Sequence, residues 1–218
     1  NETFWNELEN YIIPQLEEIE LVGGEQLIIK DTYKLFDLGN KVNPKIKWSL
    51  TTNVHLEFDT KVKKAFKNLK FRSIAVSIDS LDQENFKHVR ERGSLDKVTG
   101  FLDKLIKFKK EESLDFNIVC NFLIQKDNWF ELGDFLTHTQ NKNIKLYPIL
   151  LREPESFSIL SFEHKKLLEI IDKYIDVYKE HKNYYVLNLI MKISKYIKKQ
   201  DLVLRMERLD HYKAGSEL

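Results

Sequence analysis

The chain has 218 residues, 42% apolar and 32% charged, and its 35 Lys and Arg nearly balance 34 Asp and Glu. That size suits one domain with a real core, or a large part of a barrel, and a formal charge of +1 gives no footprint for nucleic acid or an anionic membrane surface. The single cysteine, Cys120, excludes an internal disulfide framework and any multi-cysteine metal site built from this chain alone, and favours a cytoplasmic setting over secretion.

Thr3 to Glu18 has helical spacing and leads into a first β-rich run, Ile19 to Gly23. A helical pattern over Lys30 to Val42 stops at Asn43-Pro44, and the run Ile46 to Thr51 follows. Asp59 to Leu69, with Val62, Phe66 and Leu69 on one stripe, precedes Ile74 to Ile78. A long helical stretch from Asp82 to Lys110 precedes Phe116 to Ile124, and Trp129 to Thr139 precedes Ile144 to Leu151. The runs are rich in Ile, Val, Leu and Phe with charges mainly at their edges, the pattern of strands buried on both faces. Phe162 to His181 and Tyr184 to Lys199 are amphipathic helices, and Asp201 to Leu218 is polar and weakly patterned. The most apolar stretch, Val186 to Ile197, is broken by Asn188, Lys192 and Lys195 and does not span a bilayer.

Alternating strands and helices predict an α/β fold with right-handed crossovers. A helix ahead of the first strand implies a further strand before it, and the chain opens on Asn1 instead of Met. The expected architecture is a partial TIM-type (β/α)6 barrel lacking its first strand, with a C-terminal helical cap. Residues 1–155 would run from the first barrel helix to the sixth strand. Residues 156–218 would form the last barrel helix and a helical extension.

In parallel α/β folds the working groups sit at the C-terminal ends of the strands. The first run closes on Gly23-Gly24-Glu25, where two glycines allow a sharp turn and a carboxylate can accept from an ammonium or a ribose; a plain strand-to-helix turn would also account for them. The second ends in Thr51-Thr52-Asn53, which an N-cap or Asx-turn would equally explain. The third ends in Ser77-Ile78-Asp79-Ser80, and alternation puts Ser77 and Asp79 on one face. Downstream, Arg90 and Arg92 could clamp a carboxylate, although exposed arginines on a helix are commonplace. The fourth offers Cys120, which suits a small core position, then Asn121 and Gln125 to Asn128. The six histidines show no metal-ligand spacing, and no Walker A loop or GxSxG elbow is present, so nothing recommends a hydrolase or an NTPase.

Taken in order, Leu21-Val22-Gly23-Gly24-Glu25, Thr51-Thr52-Asn53, Val76-Ser77-Ile78-Asp79-Ser80-Leu81, Phe86 to Arg90, Gly93 to Val98 and Asn117 to Asn128 resemble the radical S-adenosylmethionine (radical SAM) enzymes. More narrowly, they look like the branch with a SPASM or shortened twitch extension. The resemblance implies that Gly23, Gly24 and Glu25 hold the amino group of the SAM methionine moiety. It puts Ser77 and Asp79 toward the ribose or carboxylate, with Arg90 as carboxylate partner. Thr52 and Asn53 would line the same cavity, and Leu123 and the backbone around Tyr147 would sit against the adenine. It further implies a 4Fe–4S cluster that reduces SAM to a 5′-deoxyadenosyl radical for hydrogen abstraction from a small-molecule or peptide substrate. The electron donor would be a protein such as flavodoxin or ferredoxin.

Gln26 stands where the family usually has proline after Gly-Gly-Glu, and the cluster-binding C-x-x-x-C-x-x-C segment is not in this sequence. Three thiolates are needed for such a cluster, so none of its ligands is expected from this chain. The expectation is that strand and cysteine loop lie upstream of Asn1. The alternative is a degenerate, cluster-less barrel that binds SAM or a partner protein. A third reading is a barrel using Gly23-Gly24 to hold a phosphate.

Overall fold

A computed structural model describes residues 1–54, 56–91 and 93–214 of the chain. In chain order the elements are helix α1 (Glu2–Glu7), strand β1 (Glu18–Leu21), α2 (Lys30–Val42), β2 (Lys47–Thr52), α3 (Thr60–Asn68) and β3 (Lys70–Ser77). There follow α4 (Gln83–Val89), α5 (Leu95–Glu111), β4 (Asn117–Ile124), α6 (Leu132–Asn141), β5 (Lys145–Leu150), α7 (His164–His181), α8 (Tyr184–Ser194) and α9 (Lys199–Ala214). Five strands form one sheet in the order β1-β2-β3-β4-β5. Glu18 lies opposite Lys47, and Lys47 opposite Lys70, in parallel register, with one irregularity between Trp48 and Ser49. Parallel neighbours joined through helices are what the alternating pattern predicts, and the arrangement is compatible with the expected partial barrel.

The chain divides into two compact units. The first comprises Asn1–Ile78 and Arg92–Cys120. Its core is aromatic: Phe36 meets Trp48 edge-on at 5.1 Å, Phe66 meets Phe71 at 5.1 Å, and Phe58 meets Phe101 at 5.0 Å. Phe71, Ile74 and Val76 of β3 are buried, while Ser73, Ala75 and Ser77 between them are only half-buried. β3 and β4 therefore alternate, and there the expectation of burial on both faces is corrected, the second face of β3 carrying serines and being only partly covered; β2, which buries Trp48, Ser49 and Leu50 in succession, is covered on both faces as expected. Glu18 fastens β1 through its carboxylate, which accepts from Ser49 Oγ at 3.0 Å and Arg72 Nη1 at 2.7 Å. Those two donors, the hydroxyl first, hold its carboxyl below the usual range.

Gly39 of α2 rests directly on Trp48, and a Cβ there would come within 2.5 Å of the indole Cζ2. Because that ring is buried, it has no open direction to move. Gly39→Ala is expected to lower stability by about 1–3 kcal/mol in urea unfolding, although alanine alone favours a helix by about 1 kcal/mol over glycine.

The opening segment differs from the single helix expected over Thr3 to Glu18. The α-helix stops at Glu7, winds wider over Leu8–Ile12 and tightens over Ile13–Gln15, where Pro14 has no N–H to continue the ladder. The stretch Asp82 to Lys110 likewise splits into two helices. Asp82 caps the first by accepting from Glu84 N and Asn85 N, Arg90 leaves it in extended backbone, and Ser94 caps the second.

The second unit comprises Asp79–Glu91 and Asn121–Leu218. Phe122 stacks on Phe135 at 4.1 Å, and α7 buries Leu167, Ile170, Ile171, Tyr174 and Ile175. Tyr174 is fully buried, which pushes its hydroxyl pKa up, and it donates to the carbonyl of Trp129 at 3.0 Å. The tail that reads as weakly patterned is helical as far as it is described; residues 215–218 lie outside the described part. It buries Leu202 and Leu209, and ion pairs tie it to α7: Arg205 to Asp172 at 2.6 Å, and Arg208 to Asp172 and Asp176. Among the described residues no helix is long and apolar enough to cross a membrane.

Candidate functional site

In the first unit, β1 ends in a turn with Gly23 at φ +91° and Gly24 at φ +57°. A Cβ at either position would meet nothing within 4 Å, so the backbone angle, not crowding, requires glycine, and the turn stays open on its outer side. Glu25 then reaches back to the end of β2. Thr52 Oγ1 donates to its two carboxylate oxygens at 2.7 and 2.8 Å, and the Asn53 and Val54 N–H groups donate to Oε2 at 2.8 and 2.9 Å. Leu27 N–H donates to Oε1 at 3.2 Å, and Asn53 Nδ2 donates to the Gly24 carbonyl at 3.3 Å. One carboxylate thus ties the ends of two neighbouring strands together. It also holds Val54, fully buried, at φ +57°, a left-handed angle that costs a β-branched residue about 1–3 kcal/mol.

Tyr33 braces the same loop from α2 by donating to the Leu27 carbonyl at 2.8 Å, with the Lys61 ammonium 3.6 Å from its ring centre. Burial, then the charges of Asp59 and Glu25, push its pKa up to about 12 from 10.0. The raised value means the folded state keeps a proton that the unfolded chain releases near 10. The contribution is therefore complete below pH 10 and lost as pH rises through about 12. Tyr33→Phe is expected to flatten the fall of stability across that window, and the tyrosinate absorbance released near pH 12 should vanish with it.

In the second unit Asp79 is 4% exposed. Its Oδ2 accepts from Arg90 Nε at 2.6 Å and its Oδ1 from Leu123 N–H at 3.0 Å. Asn128, fully buried, donates from Nδ2 to the carbonyls of Asp79 and Leu123, both at 2.8 Å, and accepts from Gln125 N–H at 2.8 Å. Ser80 Oγ, Leu81 N–H and Asn85 Nδ2 all donate to the Glu131 carboxylate, the last two at 2.7 and 2.6 Å.

The structure thus gathers Gly23, Gly24, Glu25, Thr52 and Asn53 in the first unit, and Asp79, Arg90 and Leu123 in the second. Ser77 is half-buried where β3 ends, and Arg92 lies outside the described residues. Tyr147 is exposed, with its ring edge-on to Tyr185 at 5.3 Å. Asp79 and Glu25 direct their oxygens to this chain's own donors. In the sequence Ser80 shows only as part of the Ser77-Ile78-Asp79-Ser80 strand end and Asn128 only as the close of Gln125 to Asn128, and neither Glu131 nor Asn85 stands out. The available signal was Asn-x-x-Glu just ahead of α6, a helix-start pattern. Two depressions of about 770 and 780 Å³ open at the other end of the first unit's strands, around Lys47 and Arg72. In barrels that end carries stability rather than chemistry.

No family model matches the chain. GTP 3′,8-cyclase of Clostridium botulinum is 31% identical over 169 residues, covering 73% of this chain and 49% of the cyclase. Streptococcus suis SuiB bound to S-adenosylmethionine aligns with a TM-score of 0.52 at 15% identity, over 76% of this chain and 36% of SuiB. The structure of anSMEcpe with bound AdoMet and Cp18Cys peptide aligns with a TM-score of 0.57 at 18% identity, over 83% of this chain and 52% of that one. The two structures share the fold, and all three relatives are radical SAM enzymes. The chain belongs to the radical SAM superfamily. It spans about half the length of the curated relatives it matches. Within a radical SAM protein, the open Gly23-Gly24 turn fits the polar end of an amino acid: the Gly23 and Gly24 carbonyls accept from Gln26 Nε2 and Asn53 Nδ2, each keeps a second lone pair, and the glycines leave space. A 4Fe–4S cluster does not fit the donors here. Cys120 is buried, and among the described residues no three His, Cys, Asp or Glu are grouped to hold a metal ion.

Proposed function

We propose that this chain is the SAM-binding body of a radical SAM enzyme whose cluster ligands come from outside these 218 residues. The observation that carries the reading is the Gly23-Gly24 turn tied by Glu25 to Thr52 and Asn53. Gly23 and Gly24 would turn their carbonyls to the ammonium of SAM, while Glu25 and Asn53 keep the turn in shape. Arg90, its guanidinium oriented through Nε by Asp79, would meet the carboxylate. Ser77 and Asp79 would lie near the ribose, and Leu123 would supply apolar surface for the adenine. With a cluster held from outside these residues, bound SAM would supply radical hydrogen-abstraction chemistry. The chain's own part is to bind, orient and exclude water. Residues 1–155 would form this body and 156–218 its helical extension. The substrate would be a small molecule or a peptide: GTP 3′,8-cyclase is named for a nucleotide, and the anSMEcpe structure holds a peptide.

The single cysteine favours one other reading, a cluster-less barrel that binds SAM or a protein without catalysis. Anaerobic reconstitution of the full-length protein with iron and sulfide, followed by SAM and a reductant, decides between them. Formation of 5′-deoxyadenosine is the expected result. Its absence, with SAM affinity unchanged by iron removal, would leave the binding reading in place.

A further inference from the structure

We infer that Asn128 and Glu131 are positioning residues that set where Arg90 stands. The inference rests on Arg90 being the contact for SAM's carboxylate. Arg90 closes a short excursion from the sheet, residues 79–90, and an arginine there is only as well placed as the excursion is rigid. Asn128 fixes its start by holding the carbonyls of Asp79 and Leu123 side by side, 2.8 Å from one amide nitrogen. Glu131 fixes the next turn by taking Ser80 Oγ, Leu81 N–H and Asn85 Nδ2 on one carboxylate. Asn85 donates further to the Asp127 carbonyl at 2.8 Å, which locks α4 onto the same segment.

The burial argues the same way. Ser80 and Asn128 are fully buried and Glu131 is 5% exposed. A buried carboxylate is costly to desolvate, and apolar packing would hold two segments together more cheaply. What the polar network adds is direction: each bond is angle-dependent, and together they leave the 79–85 segment one arrangement. Asp79 then offers Oδ2 to Arg90 Nε at 2.6 Å while Leu123 N–H holds Oδ1, so the guanidinium is aimed from a fixed base.

The test is a double-mutant cycle on SAM affinity, read by calorimetric titration of the full chain, with urea unfolding in parallel. Glu131→Gln replaces an acceptor for three donors by an amide, and it is expected to weaken SAM binding about tenfold in protein that remains folded. Arg90→Lys should weaken it similarly, and the double variant should bind no worse than the weaker single one, because the first change already misplaces the group that the second removes. Should Glu131→Gln not fold, Ser80→Ala removes one donor and carries the same expectation at smaller size. Unchanged affinity in folded Glu131→Gln, or losses that simply add, would overturn the positioning role while leaving SAM binding standing. If wild-type chain and Arg90→Lys bind SAM equally, the reading of Arg90 itself fails.

Discussion

Glu25→Ala is expected to lower stability by about 2–4 kcal/mol and to remove most SAM affinity, whereas Glu25→Gln should cost about 1 kcal/mol and leave much of the binding. The asymmetry follows from what the carboxylate does. It accepts from Thr52 Oγ1 and from the Asn53, Val54 and Leu27 N–H groups, so alanine leaves those donors unsatisfied at a half-buried strand end. Val54 also loses the bond that holds it at φ +57°. Glutamine can keep its oxygen on the Asn53 and Val54 N–H groups, and Thr52 can rotate its hydroxyl to accept from the new amide. The pair separates two roles. If Glu25 bound the ammonium of SAM by charge, Glu25→Gln would lose binding with stability nearly intact. If it is the tie between two strand ends, affinity and stability fall together. Titration calorimetry and urea unfolding on both variants read the difference.

Which parts of this site can be read from sequence depends on how far apart in the chain the bonded groups lie. Gly23, Gly24, Thr52 and Asn53 stand out because small polar residues interrupt apolar runs where strands end. That Glu25 serves Asn53 and Val54 does not show, because those bonds cross 28 and 29 positions and depend on β1 and β2 being neighbours in register. Likewise Glu131 is an ordinary acidic residue at a helix start until the fold brings Ser80 and Leu81, 51 and 50 residues earlier, onto it. Asp79 is legible as a carboxylate at a strand end and Arg90 as a basic residue downstream of it. Their direct contact is not, because it needs the chain to break helix α4 at Arg90. The tail shows the complementary failure. Hydrophobic periodicity marks α7 through its long apolar stripe but marks α9 only weakly within the expected helical extension, because the grip of α9 on α7 includes Asp172, Arg205 and Arg208. Ion pairs leave little trace in an apolar pattern.

Asp79→Ala should be among the most damaging single changes in the second unit, at about 2–4 kcal/mol, because it takes a buried carboxylate from the Arg90 guanidinium and orphans the Leu123 N–H together. Arg90 is 19% exposed at its side chain and Asp79 6%, so water can replace only part of what is lost. Asp79→Asn should fall between wild type and alanine: its one oxygen can serve Leu123 N–H or Arg90 Nε, not both, and its amide opposes the other donor. Removing both partners, Asp79→Ala with Arg90→Ala, should cost less than the sum of the singles, since both changes delete the same Asp79–Arg90 bond. Urea unfolding of the four proteins gives the coupling directly. A loss under about 1 kcal/mol for Asp79→Ala would mean that Arg90 finds solvent easily and that the pair is not what aims it. A large, strongly coupled loss would mean the opposite. Arg90 would then be held against the end of β4 before any ligand arrives, and an anion binding there would not have to supply the ordering of that side chain.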